Sequence, residues 1–274
     1  MKSVLRKIWQ RSLDPVFYRK QLCLLRRRFV GAIDDSPDST DWDALGECKS
    51  VKVVVAHPDD ETFCSGAIAH LVAKGATVEV ICLTRGEGGP TGGESRESLG
   101  SRREEEMRSA CRVLGANVRF LDYIDPTANG HRVYAPKVSP ADLSAELSEI
   151  LEGADLVLSH GSNGEYWHPA HLLVFDSIQR IHKGRGLQGH WLTFLARQPD
   201  HPIPHLVNWD DPVFLRFDAS AHAGVRKQAL ECHQTQLSLF RRFAEGDVGD
   251  FITKTSVEAY ALRTGSLVRD RENG

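Results

Sequence analysis

The sequence predicts an α/β fold built on a mostly parallel sheet flanked by helices. Three observations lead there. From residue 51 onward, apolar strand segments alternate with helical stretches, which implies right-handed crossovers between parallel strands. The segments "VKVVVA" at 51–56 and "ADLVLS" at 154–159 are close to continuously apolar, as a sheet buried on both faces requires. The chain has 274 residues, of which 41% are hydrophobic, so it can bury a sizeable core as one large domain or one domain with appendages.

Each element follows in chain order. Residues 1–47 read as a basic helical arm and an acidic linker. In the arm, Lys2, Arg6, Lys7, Arg11, Arg19, Lys20, Arg26, Arg27 and Arg28 face only Asp14, and Val4, Leu5, Ile8 and Trp9 recur at helical spacing. Such an arm fits a helix pair docked on its own domain, or peripheral contact with a membrane surface or an anionic substrate. The charge then flips in "DDSPDSTDWDALGE" at 34–47, whose Pro, Ser and Asp mark a linker. Residues 48–274 read as the catalytic domain. Strands are expected near 51–56, 77–83, 118–121 and 155–159, and helices near 64–75, 101–114, 141–151 and 169–183. Further on, "HWLTFLA" and "DPVFLRFDA" read as strands and "AGVRKQALECHQTQLSLF" as one helix.

Composition sets bounds on partners. A formal net charge of -3 makes nucleic acid an unexpected partner. The six cysteines are scattered with no C-x-x-C pair, which argues against disulfides and a cysteine zinc site. No uncharged apolar run approaches the roughly 18 residues a spanning helix needs, and the N-terminus lacks a signal-peptide apolar stretch, so a cytoplasmic location is expected. Oligomeric state is not legible.

The chemistry gathers at strand ends, where open α/β sheets bind ligands. In "AHPDDE" at 56–61, His57 and Asp60 lie three apart in a turn fixed by Pro58, close enough to share a metal ion, with Asp59 between them. After a later strand, "LVLSHGSNGEYWHPAHLLVF" places His168 and His171 at a loop-to-helix junction, with Pro169 suited to the first helical position. Three nitrogen and oxygen ligands with one open position is the pattern of catalytic zinc, and His57, Asp60 and His171 supply it. Asp59 is then the expected general base, and His168 the group that polarises an oxyanion or protonates a leaving nitrogen. The expected reaction is metal-assisted hydrolysis of an amide.

These residues resemble the PIG-L family, also called LmbE-like, of zinc-dependent N-acetylglucosaminyl de-N-acetylases. "AHPDDE" stands intact, and "HGSNGEYWHPAH" at 160–171 is similar to the family's second motif, usually ending His-Pro-Asp-His. Three further segments agree: "GATVEVICLTRGEGG" at 75–89, "SRREEEMRSACRVLG" at 101–115, with Arg103 and Glu106 in an Arg-x-x-Glu pattern, and "KQALECHQTQ" at 227–236. The resemblance covers roughly 50–236 and implies a Rossmann-like fold. It also implies zinc on His57, Asp60 and His171, with Asp59 as base and His168 as the oxyanion or acid histidine. The implied substrate is a small N-acetylglucosamine-type sugar or conjugate, released as acetate and a free amine.

The sequence departs from the family's pattern at Ala170, in place of an aspartate, at Trp167, where glycine is frequent, and at Arg85, where an acid is common. Arg85 and Arg103 are expected substrate contacts, Arg85 suiting a phosphate or carboxylate. His160 ends its strand near the site as a third contact or as a hydrogen-bonded structural histidine. Glu61 is expected either to orient His57 or to complement a helix dipole, and His233 to be structural. The metal is expected to be Zn2+, with Fe2+ compatible with the same donors. Two alternatives from other classes remain: a non-catalytic sugar- or partner-binding domain on the same fold, and a metal-dependent glycosyltransferase in which "PDD" holds a diphosphate through a divalent ion. Two histidine ligands fit zinc better than Mg2+ or Mn2+.

Overall fold

A computed structural model describes residues 36–129 and 133–263, together with Leu25. The basic arm therefore lies outside the described residues apart from Leu25. In chain order, the elements are β1 (Ser50–Val55), α1 (Ser65–Ala73), β2 (Thr77–Thr84), α2 (Leu99–Leu114), β3 (Asn117–Tyr123), α3 (Pro140–Ile150), β4 (Leu156–Ser159) and α4 (Pro169–Lys183). They continue through β5 (His190–Phe194), β6 (Leu215–Asp218), α5 (Ala223–Cys232), α6 (Leu237–Ala244), α7 (Val248–Lys254) and β7 (Val257–Leu262).

The strands form one sheet in the order β3-β2-β1-β4-β5-β7-β6. The first five are mutually parallel, and β7 runs antiparallel to both β5 and β6. β1 owes its place at the centre to its run of β-branched valines. Val51, Val53 and Val55 enter one core with Ile68 and Leu71 of α1 and Met107 and Leu114 of α2. Val54 and Ala56 enter the opposite core with Leu143 and Leu147 of α3 and Val174 and Ile178 of α4. Period-two side-chain alternation thus feeds two apolar layers, as a doubly wound sheet demands. Lys52, partly buried on β1, meets its partly buried cross-strand neighbour Glu79 at 2.5 Å.

The local start signals are visible in the geometry. Ser139 Oγ accepts from the Asp142 N–H at 3.1 Å ahead of Pro140, and His168 caps α4 ahead of Pro169. At α1, the first helical N–H groups of Gly66 and Ala67 donate to the buried Glu258 carboxylate of β7 at 2.7 and 2.9 Å. That contact fastens the antiparallel edge of the sheet to the turn that follows β1.

Two expectations are corrected. Residues 36–47 do not form a linker outside the catalytic domain. Ser39 bridges to Leu215, and Trp42 is 4% exposed, with its ring edge-on to Tyr260 at 4.9 Å and to Phe217 at 5.9 Å. Acidic residues dominate that stretch, yet Trp42 and Leu45 carry enough apolar surface to bind it to the core. The segment expected as one helix over 223–240 is broken after Cys232. There Thr235 donates through its N–H and hydroxyl to Glu106 at 3.0 and 2.7 Å, and Gln236 donates to the Pro90 carbonyl at 2.9 Å. Tertiary hydrogen bonds replace helical ones. Among the described residues, no helix is long and apolar enough to cross a membrane.

Candidate active site

Strand order reverses between β1 and β4, and ligands of such sheets bind at that point, outside the strands' carboxyl ends. Residues 56–61 follow β1 there, and residues 160–171 follow β4.

The first loop is a tight turn. The His57 N–H donates to Asp60 Oδ2 at 2.9 Å, and the Asp60 N–H to the His57 carbonyl at 3.3 Å. Asp59 takes φ 111°, a region an L-residue rarely adopts, and it is held there from two sides. Its N–H donates to Glu61 Oε2 at 3.0 Å, and its carboxylate lies 3.2 Å from Arg103 Nη2. Glu61 in turn meets His233 Nε2 at 2.5 Å. Glu61 therefore fixes Asp59 and His233, not His57, whose partners are Asp60 and Asp125.

Arg103, 3% exposed, donates to the carbonyls of Pro58 and of Gly86, the latter at 3.0 Å. A Cβ at Gly86 would lie 2.3 Å from that guanidinium, and Gly86 has φ 69°, so only glycine leaves it room. Arg85 points elsewhere. Its guanidinium pairs with Glu104 of α2 and, at 2.5 Å, with Asp122 of β3, over the Phe120 ring.

The second loop is organised by Glu165, which the sequence reading did not single out. Its Oε2 meets His160 Nδ1 at 2.8 Å and His171 Nδ1 at 2.6 Å. Its Oε1 accepts from the Gly161 N–H at 3.1 Å and from Asn208 Nδ2 at 3.0 Å. Asn208, itself fully buried, also accepts from the N–H groups of Asn163 and Glu165. Gly164, Glu165 and Trp167 all have positive φ, and this network holds the loop in that shape. His160 is wholly buried, stacked on His171 at 3.8 Å between ring centroids, and its Nε2 accepts from the Ala56 N–H at 3.1 Å. Both its nitrogens are engaged within the protein.

The loops bring the expected residues together. Asp60 sits between two histidines, Oδ2 3.3 Å from His57 Nδ1 and Oδ1 3.4 Å from His171 Nε2. His171 Nε2 is fully buried and has no hydrogen-bond partner. His168 joins them, its ring 4.7 Å from both His57 and His171. Donor atoms of His57, His168 and His171 cluster within 4.8 Å of one another, as do those of Asp60, His160 and His171. A second residue the sequence reading missed, Asp125, follows β3 and lies 3.5 Å from His57 Nε2. Its only signal was an acid just past a strand's carboxyl end.

The electrostatics favour a cation. Burial opposes protonation of His57, but its hydrogen bonds to Asp125 and Asp60 win and raise it to about 9. Burial would raise Asp60, yet the charges of His171 and His160 hold it well below the usual carboxylate range. Burial lifts Asp59 to about 6 against the pull of Arg103. His168 goes the other way: burial, then the charges of His171 and His57, push it well below an ordinary imidazole. A buried imidazole nitrogen without a partner, facing a carboxylate beside a second histidine, is the donor set a divalent metal takes. The site fits a metal.

The family profile described as PIG-L, GlcNAc-PI de-N-acetylase, matches residues 52–181. A deacetylase from Corynebacterium diphtheriae that acts on 1D-myo-inositol 2-acetamido-2-deoxy-alpha-D-glucopyranoside is 36% identical over 226 residues, spanning 68% of this chain and 75% of its own. The chain belongs to the PIG-L family. Membership makes it a deacetylase, a metal-dependent hydrolase of a linear amide, and its sheet is that of the LmbE-like fold. The N,N'-diacetylchitobiose deacetylase from Pyrococcus horikoshii shares the fold, with a TM-score of 0.56 at 17% identity, covering 81% of this chain and 86% of that one. So does GalB, the 4-carboxy-2-hydroxymuconate hydratase from Pseudomonas putida, with a TM-score of 0.54 at 20% identity, covering 81% of this chain and 99% of that one. These two likenesses speak to the fold; the activity rests on the family match and the relative.

Proposed function

We propose that this PIG-L chain removes the acetyl group from an N-acetylglucosamine-type sugar conjugate, with Zn2+ held by His57, Asp60 and His171. The observation that carries the reading is the unpartnered, buried Nε2 of His171 facing Asp60, with Asp59 alongside as a buried carboxylate near 6. His160 and His168 are the remaining imidazoles within reach. His160 spends both nitrogens on Glu165 and the β1 backbone, and His168 Nδ1 caps α4 by accepting from the Ala170 N–H at 3.3 Å. The closeness to Asp60, of His57 Nδ1 at 3.3 Å and of His171 Nε2 at 3.4 Å, favours those two for the metal and leaves Nε2 of His168 for the substrate.

When bound, the metal ion polarises the acetamide carbonyl and lowers the pKa of water to about 7. The chain's residues do the rest. Asp59, ionised above pH 6, takes the proton from the attacking water as its oxygen bonds to the carbonyl carbon. His168, neutral and with Nδ1 engaged as an acceptor, carries its proton on Nε2 and donates a hydrogen bond to the oxyanion. An imidazole held neutral by burial and by the charges of His171 and His57 suits oxyanion stabilisation better than proton donation. As the C–N bond breaks, Asp59 returns its proton to the leaving nitrogen, giving acetate and a free amine. Arg103 and Glu61 hold Asp59 in place, and Glu165 with His160 holds His171.

Acetate release from a panel of N-acetylglucosamine conjugates, run on as-purified, chelated and zinc-restored protein with metal content determined, tests this reading. Release that chelation abolishes and Zn2+ restores is expected. Release that survives complete metal removal would overturn it.

A further inference from the structure

We propose that His233 is a positioning residue for the reaction: through Glu61 it holds Asp59 in the strained backbone conformation from which that carboxylate acts as base. The proposal rests on the deacetylase reading and adds to it a residue 172 positions further along the chain than Glu61.

The linkage is short. His233 is fully buried, and its Nε2 meets Glu61 Oε1 at 2.5 Å. Glu61, 1% exposed, accepts the Asp59 N–H on its other oxygen at 3.0 Å. Among the described residues, the His233 ring makes no hydrogen bond besides this one, since its Nδ1 is buried and unpaired. Asp59 stands at φ 111°, where an L-residue persists only if its surroundings over-determine it. The peptide joining Pro58 to Asp59 is gripped at both of its polar groups, the N–H by Glu61 and the carbonyl by Arg103.

Both grips run back to one stretch, residues 233–236, where the predicted helix breaks. Thr235 donates its N–H and hydroxyl to Glu106 at 3.0 and 2.7 Å, one turn along α2 from Arg103. Gln236 donates to the Pro90 carbonyl at 2.9 Å, and a Cβ on Gly92 would lie 2.3 Å from the Thr235 carbonyl oxygen. The glycine-rich loop after β2 therefore closes on the same four residues, which anchor Glu61 and Arg103 together.

The metal ligand beside the base does not depend on this anchor. Asp60 Oδ2 accepts from the His57 N–H at 2.9 Å, and the Asp60 N–H donates to the His57 carbonyl at 3.3 Å. Loss of His233 therefore moves Asp59 and spares Asp60. A buried ionisable pair is also a weak source of stability, so what the His233–Glu61 contact supplies is position.

The test measures kcat, KM and bound metal for the Zn2+-loaded full chain and its His233→Leu, His233→Asn and His233→Gln variants, with a crystal structure of each. The substrate is the N-acetylglucosamine conjugate that the wild type turns over fastest. Leucine has no donor and asparagine none that reaches Glu61, whereas glutamine places an amide N–H near the Nε2 position. Two replacements that lack the donor guard against one that fails to fold. His233→Leu and His233→Asn are expected to lose about 10²-fold in kcat, the scale of a small misplacement. Their KM and metal content should match wild type, and Asp59 should leave φ 111°. His233→Gln is expected to recover most of the rate and the wild-type conformation. A wild-type kcat in His233→Leu or His233→Asn, a loss that glutamine does not relieve, or a loss of metal that accounts for the loss of rate overturns the proposal and leaves the deacetylase reading intact. Acetate from no conjugate in the wild type overturns the deacetylase reading, and the structures then decide the linkage alone. An Asp59 displaced in the Leu and Asn variants and restored by glutamine supports it, and an Asp59 unmoved in all three overturns it.

Discussion

The carboxylate of Glu165 lies 2.6 Å from Nδ1 of His171, and this contact decides which nitrogen of the ring faces Asp60. The same oxygen receives His160, so one buried carboxylate fixes two stacked imidazoles. The two histidines offset the burial of Glu165 and hold it at about 2, ionised at any working pH. An ionised acceptor on the far nitrogen makes a histidine a stronger and better-aimed ligand.

Glu165→Gln should therefore weaken metal binding by about 10- to 100-fold, since an amide oxygen is a neutral and poorer acceptor for two rings. A competition titration with a chromophoric chelator measures this. Acetate release at saturating metal should recover most of its wild-type rate, because no reacting atom touches Glu165. Wild-type metal affinity in the variant would refute the role.

Asp59→Asn should bind metal normally and lose about 10²- to 10⁴-fold in kcat, the range a positioned general base contributes. The wild-type kcat/KM profile should show an acid limb at or below about pH 6, set by Asp59, because a bound cation favours the carboxylate. The linkage sign is opposite to that of a salt-bridged acid. The folded value stands above the ordinary 3.8, so the protonated carboxyl stabilises the fold below that pH, and the benefit disappears as pH rises through about 6. Metal-free Asp59→Asn should accordingly melt above metal-free wild type at pH 7, and the gap should narrow toward pH 4 in thermal scans.

Trp42 tests where the catalytic domain begins. It is buried among Tyr260 and Phe217, so Trp42→Ala should cost about 3 to 5 kcal/mol in urea unfolding. The chain lacking residues 1–35 is the reference for the sheet domain. Removing residues 1–47 should destabilise it at least as much as Trp42→Ala, since Leu45 and the Ser39 pairing with Leu215 go with it. Equal stability of the two truncations would restore the linker reading.

What the sequence made legible follows from how local each signal is. The strands β1 and β4 announce themselves through β-branched runs, and α3 and α4 through a capping residue followed by proline. His57, Asp59, Asp60, His168 and His171 are legible because each pair lies within one turn of chain. Glu165 lay inside the quoted motif, but its role depends on a backbone at φ 56° and on Asn208, 43 residues away, which no spacing reveals. Asp125 reaches His57 only because β3 and β1 share a sheet. The break at His233 was hidden for the same reason: helical periodicity continues through it, and Glu61 and Glu106 overrule it from other parts of the chain. β7, as long as β1, lies on the antiparallel side, where the alternation of strand and helix ends.

Arg103 separates positioning from mere packing. Its guanidinium serves the Pro58 and Gly86 carbonyls and the Asp59 carboxylate at once, and a lysine ammonium lacks the planar fork to do so. Arg103→Lys should thus lower kcat by about 10²-fold through a small displacement of the base, with metal content unchanged. Arg103→Met removes the positive charge as well. Since Arg103 is what pulls Asp59 down against burial, the acid limb of kcat/KM should move to higher pH in the Met variant and stay near its wild-type position in the Lys variant. Steady-state profiles of the three proteins between pH 4.5 and 8 settle the matter, using the range that brackets about 6. A limb that stays fixed in Arg103→Met would mean that another group sets it, and Asp59 would lose its assignment as the base.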